Sequence, residues 1–267
     1  MVTQVHAENG RAGPAAAAPG ATWVPDPSSA PAVIDLRASL PGGPGAGSTL
    51  STAVQEACQR WDAHTSRTDW TDLSPMKLAI LETFLGLAAR HGWSSVTMRM
   101  LGQAMSVKAP SLYAHFPGGR REVVIQSLSW SAHRFARAVL SSLAGATTAD
   151  DAWETLVRIH LRRQLALPES DLWDLIVATD AQVGGLPDAA RATAQGHVAC
   201  YEDLLTAVVV QLGVPDPSSL VRLVLTLLEG AGRWNDWSGA PEDLKHLEDR
   251  AVAVCGWVLA QARSNGH

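Results

Sequence analysis

The chain of 267 residues carries a formal charge of −5, is 46% hydrophobic and holds three scattered cysteines, Cys58, Cys200 and Cys255. No apolar run reaches the roughly 20 residues that cross a bilayer, and no two cysteines have a CxxC spacing, which excludes a membrane span and a disulfide or thiol-metal scaffold. With no basic-then-apolar leader in view, a cytoplasmic protein with reduced thiols is expected.

Residues 1–70 read as an extension rich in Ala, Gly and Pro. Its first fifty residues cannot bury enough apolar surface to offset their ordering entropy, so they are expected to be disordered. Only Arg11 and Arg37 are cationic there, too few for a DNA-embracing arm. Within 51–70, Val54, Cys58 and Trp61 at i, i+4 and i+7 mark a short helix.

Ser74-Pro75 is a helix start, a capping serine followed by proline in the first turn. Leu78, Leu81, Leu85 and Ala88 continue the stripe, and Gly92 ends it. Thr97 then caps a second helix with Met98, Leu101 and Met105 on one side. Ser106-Val107 interrupt the pattern, and a third short helix starts near Lys108 with Pro110 in its first turn. Leu112 and Phe116 form its inner side; Lys108, Ser111, Tyr113 and His115, beside the small Ala109 and Ala114, form an outer side suited to a DNA major groove. From about Arg121 a long helix runs to Leu143, and from Ala149 onward further helical stripes follow with no strand pattern.

The charge is unevenly placed. From Ser74 to Arg137 there are eight Lys/Arg against two acids, a formal +6, whereas 1–73 carry −3 and 138–267 carry −8. Affinity for DNA follows local phosphate neutralisation, so the basic segment marks the contact side.

Thr97-Met98-Arg99-x-Leu101 followed by Ser111-Leu112-Tyr113-x-His115-Phe116 resembles the DNA-binding domain of the tetracycline-repressor (TetR) family, closely over Ser74–Arg137 and elsewhere in helical layout only. The resemblance implies an all-α fold: a three-helix helix-turn-helix domain at 71–122, then a helical effector-binding and dimerisation domain at 123–267. It implies a homodimer through the last two helices on a palindromic double-stranded operator, read at half-sites ~34 Å apart. Two departures stand out. The family's turn glycine is Ser106, at a cost of about 1 kcal/mol if left-handed. The loop before the next helix is one residue longer, so Arg120, or alternatively Arg121, takes the place of the family's phosphate-contacting lysine.

By that resemblance Thr97 and Arg99 hold phosphates, Lys108 meets a phosphate or a guanine edge, Tyr113 and His115 contact the backbone, Ala109 and Ser111 touch base edges, and Pro110 belongs to the same DNA-binding set. Against these stand plainer readings, a solvated charge at Arg99 and an ordinary exposed histidine at His115. Trp153, Trp173, Trp234 and Trp237 are candidate effector-pocket walls, with plain core packing as the alternative for each. Gly230–Trp237, Leu186-Pro187 and Tyr201-Glu202 are loosely similar to members responding to acyl- or sterol-derived coenzyme A thioesters, so the effector is expected to be apolar or acyl-CoA-like.

The function expected is a repressor released by a small molecule; a ligand-independent activator or architectural DNA-binding protein is the alternative. No HExxH, P-loop, G-x-S-x-G or dinucleotide fingerprint is present, and His197 with Cys200 lacks further ligands. Neither an enzyme, nor a metal, nor a cofactor is expected.

Overall fold

The computed structural model describes residues 49–71, 73–167, 170, 173, 186–235, 237 and 239–264, and every regular element among them is helical. Residues 1–48, and Leu172 and Ile176 within the helical stripes expected after Ala149, lie outside the described residues. Among the described residues no helix is long and apolar enough to cross a membrane.

The first helix, α1 (Thr52–Thr65), is the one expected within 51–70. Ser51 caps it by accepting from the Val54 N–H, and Val54, Ala57 and Trp61 are fully buried against the helices Gly119–Leu143 and Asp188–Gln211. The side chain of Gln211 ties down the residues before it, accepting from the Ser51 N–H at 2.8 Å and donating to the Thr49 carbonyl at 2.8 Å. An apolar stripe that meets a cap and a partner helix gains enough to order.

The head follows: α2 (Pro75–His91), a 3₁₀ turn (Trp93–Ser95), α3 (Met98–Ala104) and α4 (Ala109–His115). Ser74 caps α2 and Gly92 closes it at φ 76°, a conformation that suits glycine. Ile80, Phe84, Leu101, Leu112 and Phe116 form its core with Val123 and Val124 of α5 (Gly119–Leu143). The same 25-residue helix, about 37 Å long at 1.5 Å per residue, then supplies Phe135, Val139 and Leu143 to the body's core. Head and body are thus skewered on one rod.

The body adds α6 (Ala149–Ala166), α7 (Asp188–Gln211), α8 (Pro217–Glu229), the single turn α9 (Ala231–Trp234) and α10 (Pro241–Ser264). Thr148 and Asp151 form a reciprocal capping box on α6, and Asp216 caps α8. Arg162 pairs with the buried Glu248 at 2.8 Å, fastening α6 to α10. The expected stripe of α8 and α10 is wider than the interior uses: Leu220, Val224, Leu247, Ala251 and Cys255 are buried, while Leu223, Val254 and Trp257 face outward.

Candidate nucleic-acid interface

The turn between α3 and α4 is built around Ser106 at φ 55°. The Val107 N–H reaches back to the Gly102 carbonyl (2.9 Å) and the Ser106 N–H to that of Gln103 (3.2 Å), a left-handed helix stop that satisfies the last carbonyls of α3. A side chain at Gly102 would place its Cβ 2.8 Å from the Val107 carbonyl oxygen and 3.4 Å from the Ala109 nitrogen. The residue that must be small is therefore Gly102, while Ser106 tolerates the conformation. Sequence patterning singles out Ser106 and passes over Gly102, whose signal is a glycine inside an expected helix.

Thr97 caps α3, its hydroxyl accepting from the Met100 N–H at 3.2 Å, and remains exposed beside exposed Arg99. On α4, Leu112 and Phe116 are buried, with the Lys77 ammonium 5.9 Å from the Phe116 ring centre. Lys108, Pro110, Ser111, Tyr113 and Ala114 are exposed, whereas Ala109 and His115 are half-buried. Seven residues make a helix of about 10 Å, short enough to lie along a groove edge. Tyr113 stands against Gly119, where an added Cβ would come 3.0 Å from the tyrosine ring; Gly119, at φ 61°, gives the ring its seat.

At the head of α5 the two arginines part. The Arg120 Nε donates to the Val96 carbonyl at 2.7 Å and its guanidinium also donates to the Trp93 carbonyl. It thereby stitches α5 to the loop before α3, so of the two arginines expected to stand for the family's lysine Arg120 is the one engaged within the head. Arg121 is exposed. Glu122 folds back to accept from the Gly118 N–H at 2.8 Å and from the Gln126 amide at 2.9 Å.

In the body, a cavity of about 40 Å³ opens between α5, α6, α7 and α8, lined chiefly by Phe135, His160, Arg163, Trp173, His197 and Tyr201. Of the four tryptophans expected to wall an effector pocket, Trp173 lines this cavity and donates from Nε1 to the Ser131 hydroxyl at 3.0 Å. Trp153 is core; Trp234 and Trp237 donate to the carbonyls of Leu227 and Ala240 and cover the edge of the body. Sequence patterning also passes over His160 and Arg163, although His160 falls four residues after Leu156 on an apolar stripe. Burial, aided by the Arg163 charge, pushes His160 down to about 3 and His197 well below the ordinary range. Burial also pushes the thiols of Cys58 and Cys255 up, to about 11 and about 12, so neither is a nucleophile at neutral pH.

Residues 80–125 match the family model described as bacterial regulatory proteins, tetR family. No curated protein matches the sequence. Among solved structures, a TetR-family transcriptional regulator from Streptomyces coelicolor is similar at 15% identity and TM-score 0.54, covering 76% of this chain and 98% of that one. AibR, solved with isovaleryl coenzyme A and operator DNA, is similar at 18% identity and TM-score 0.54, over 66% of this chain and 96% of that one. A protein described as superantigen pfit reaches 18% identity and TM-score 0.56, over 74% and 96%, so the fold alone does not carry the function. The matched segment covers α3, α4 and their turn. Residues 80–125 thus resemble the tetR-family model, and they sit in an all-helical fold similar to that of TetR-family transcriptional regulators.

Proposed function

We propose that the protein is a sequence-specific transcriptional repressor that binds a palindromic operator as a homodimer and is released by a small molecule. The exposed side of α4 carries this reading: a short helix of small and hydrogen-bonding residues, in the one segment of the chain with a large positive charge. In it the DNA-binding domain is 71–122 and the effector and dimerisation domain is 123–267. Lys108 and Ser111 reach base edges, with Ala109 and Pro110 close beside them. Thr97, Arg99, Tyr113, His115 and Arg121 hold the phosphate backbone. A bacterial operator lies in the cytoplasm, which is then the site of action.

The outward apolar side of α8 and α10 supports the dimer. Leu223, Val254 and Trp257 are 49%, 37% and 66% exposed in the single chain, an apolar surface that a second copy would cover. Ligand release is supported by the cavity in the body and by AibR, whose structure was solved with isovaleryl coenzyme A and operator DNA. The small volume of that cavity favours a second reading, a regulator that needs no ligand.

Selection of bound sequences from a random duplex pool tests the proposal. A palindrome with half-sites one helical turn apart is expected; recovery of no motif at low salt overturns it. Retardation of the selected duplex that no small molecule changes would favour the ligand-independent reading.

A further inference from the structure

The chain crosses between body and head twice, once through α5 and once through the residues that lead from α1 to α2. On the body side Trp61 of α1 is fully buried against Phe135, His197 and Tyr201, with ring centres between 5.2 and 5.8 Å away. The last turn of α1 then lies along α5: Asp62 pairs with Arg137 at 3.8 Å, and the Thr65 backbone is hydrogen-bonded to the His133 ring. On the head side Trp70 packs on Trp130 and His133, ring centres 5.3 and 6.0 Å away, as part of the head's apolar cluster. A turn presents it there. The Asp69 carboxylate accepts from the Thr71 N–H at 2.9 Å and hydroxyl at 2.6 Å, and the Leu73 N–H donates to the Trp70 carbonyl at 3.3 Å. The two tryptophans therefore grip α5 at Phe135 and at Trp130, about 7.5 Å apart along its axis.

The two grips are unequal. The Trp61 indole donates to His197 Nδ1 at 3.1 Å inside the core. Trp70 is half-buried, and its Nε1, the Trp130 Nε1 and His133 Nδ1 are all buried without a hydrogen-bond partner. Unpaired polar atoms at one contact weaken it, so the head end can let go while α1 stays seated. The other ties between head and body are poorly shaped to fix an angle. Glu82 of α2 meets Arg134 at 3.5 Å in a partly exposed pair, and such pairs are worth little. Ala190 and Ala194 of α7 reach the head's cluster, but side chains this small raise no ridge to stop one helix sliding on another.

Resting on the reading of the protein as a dimeric operator-binding regulator, we propose that Trp61–Trp70 is a strap that sets the angle of the head on the body, with Trp70 as its positioning residue. In a two-fold dimer a tilt of each head carries its α4 along the duplex. The angle then selects the half-site spacing that both heads can engage at once. One base pair adds about 3.4 Å along the axis, so a displacement of about 1.7 Å at each α4 is the scale that changes the accepted spacing.

The test compares the parent, Trp70→Ala, Trp70→Phe and a full chain with a protease site inserted between the exposed Arg67 and Thr68, cut after folding. Retardation is measured on duplexes carrying one selected half-site, or two at varied spacing. The parent should prefer its own spacing over one a base pair longer by at least about tenfold. In Trp70→Ala and in the cut chain that preference should shrink to within about threefold, with affinity for a single half-site unchanged. Trp70→Phe should behave as the parent, because the lost nitrogen had no partner. A parent indifferent to spacing, or a cut chain that keeps the parent's preference, overturns the proposal. So does a loss of single half-site affinity as large as the loss at full sites, since Trp70 would then only stabilise the head. Should the parent bind no duplex, the regulator reading falls and calorimetric melting of the same chains decides the strap. A head transition that parts from the body's in the cut chain keeps it, and a single transition in every chain sinks it.

Discussion

Trp61 Nε1 donates to His197 Nδ1 across 3.1 Å, joining the first described helix to the middle of α7. The indole is fully buried, with ring centres 5.2 Å from those of His197 and Tyr201 and 5.8 Å from that of Phe135. A helix that precedes the head thus fills the centre of the body that follows it. Trp61→Phe removes the donor, orphans the buried His197 nitrogen and leaves a gap. It should destabilise the body by about 1–3 kcal/mol, a fall in melting temperature of roughly 2–10 °C. Thermal denaturation of the full chain checks this; an unchanged midpoint would mean that α1 is an appendage.

The same cluster sets a pH dependence. His160, brought down to about 3, and His197, well below its ordinary value, are both neutral and buried when folded, whereas the unfolded chain titrates them near 6.5. Between the folded and unfolded values the unfolded state binds more protons, so stability rises with pH there. The contribution is complete above about pH 6.5 and is lost as pH falls through the window below it, at up to about 1.4 kcal/mol per pH unit for each histidine. Melting temperature measured from pH 7.5 to 5 should therefore fall, and His160→Phe should flatten the slope. An equal slope in the variant would remove His160 from the account.

The head is largely legible in the sequence because its signals are local. A capping serine or threonine, a proline in the first turn and an apolar residue every three or four positions place α2, α3 and α4 to within a residue or two, and a serine where a glycine is expected marks the left-handed turn at φ 55°. What escapes depends on partners distant in the chain. Arg120 turns inward because the carbonyls of Trp93 and Val96 lie beside it only after folding. For the tryptophans, helical spacing cannot tell the wall of a cavity from the core behind it, which is why Trp153 and Trp173 look alike. That α1 belongs to the body follows from Trp61 meeting His197, 136 residues away.

The turn gives two opposite outcomes. Ser106→Gly relieves a left-handed serine and should stabilise the head by about 0.4–1 kcal/mol, read as a raised melting temperature with retained duplex binding. Gly102→Ala forces a methyl to within 2.8 Å of the Val107 carbonyl and should move α4 away from its docking position. Duplex affinity should then drop for every sequence, with the body's far-UV signal unchanged. If Gly102→Ala bound as well as the parent, the close approach of the two helices would not matter to docking.

Arg120 and Arg121 separate stability from binding. Arg120→Ala leaves two carbonyl groups short of a donor and should lower the melting temperature of the head. Arg121→Ala should leave that temperature alone, weaken all duplexes alike and reduce the slope of log affinity against log salt by about 0.9 for each phosphate that the guanidinium neutralises. Retardation assays at several salt concentrations distinguish them; a salt slope that changes only in Arg120→Ala would reverse the assignment.

Trp257 tests the proposed dimer. It is 66% exposed on α10, on the side of the helix opposite the buried Cys255 and Leu259, and Leu223 of α8 is 49% exposed. An exposed indole of this size is costly to leave in water, at roughly 25 cal/mol per Å² of apolar surface, unless a second copy covers it. Trp257→Glu places a charge at that interface in both copies at once, so like charges meet across the two-fold axis and the dimer should be lost. Analytical ultracentrifugation should show the parent as a dimer and the variant as a monomer whose melting temperature is little changed at high concentration. Because one α4 reads few base pairs, the monomer should bind a half-site weakly and a full palindrome no better than two independent half-sites. A variant that sediments as the parent does would place the interface elsewhere on the body.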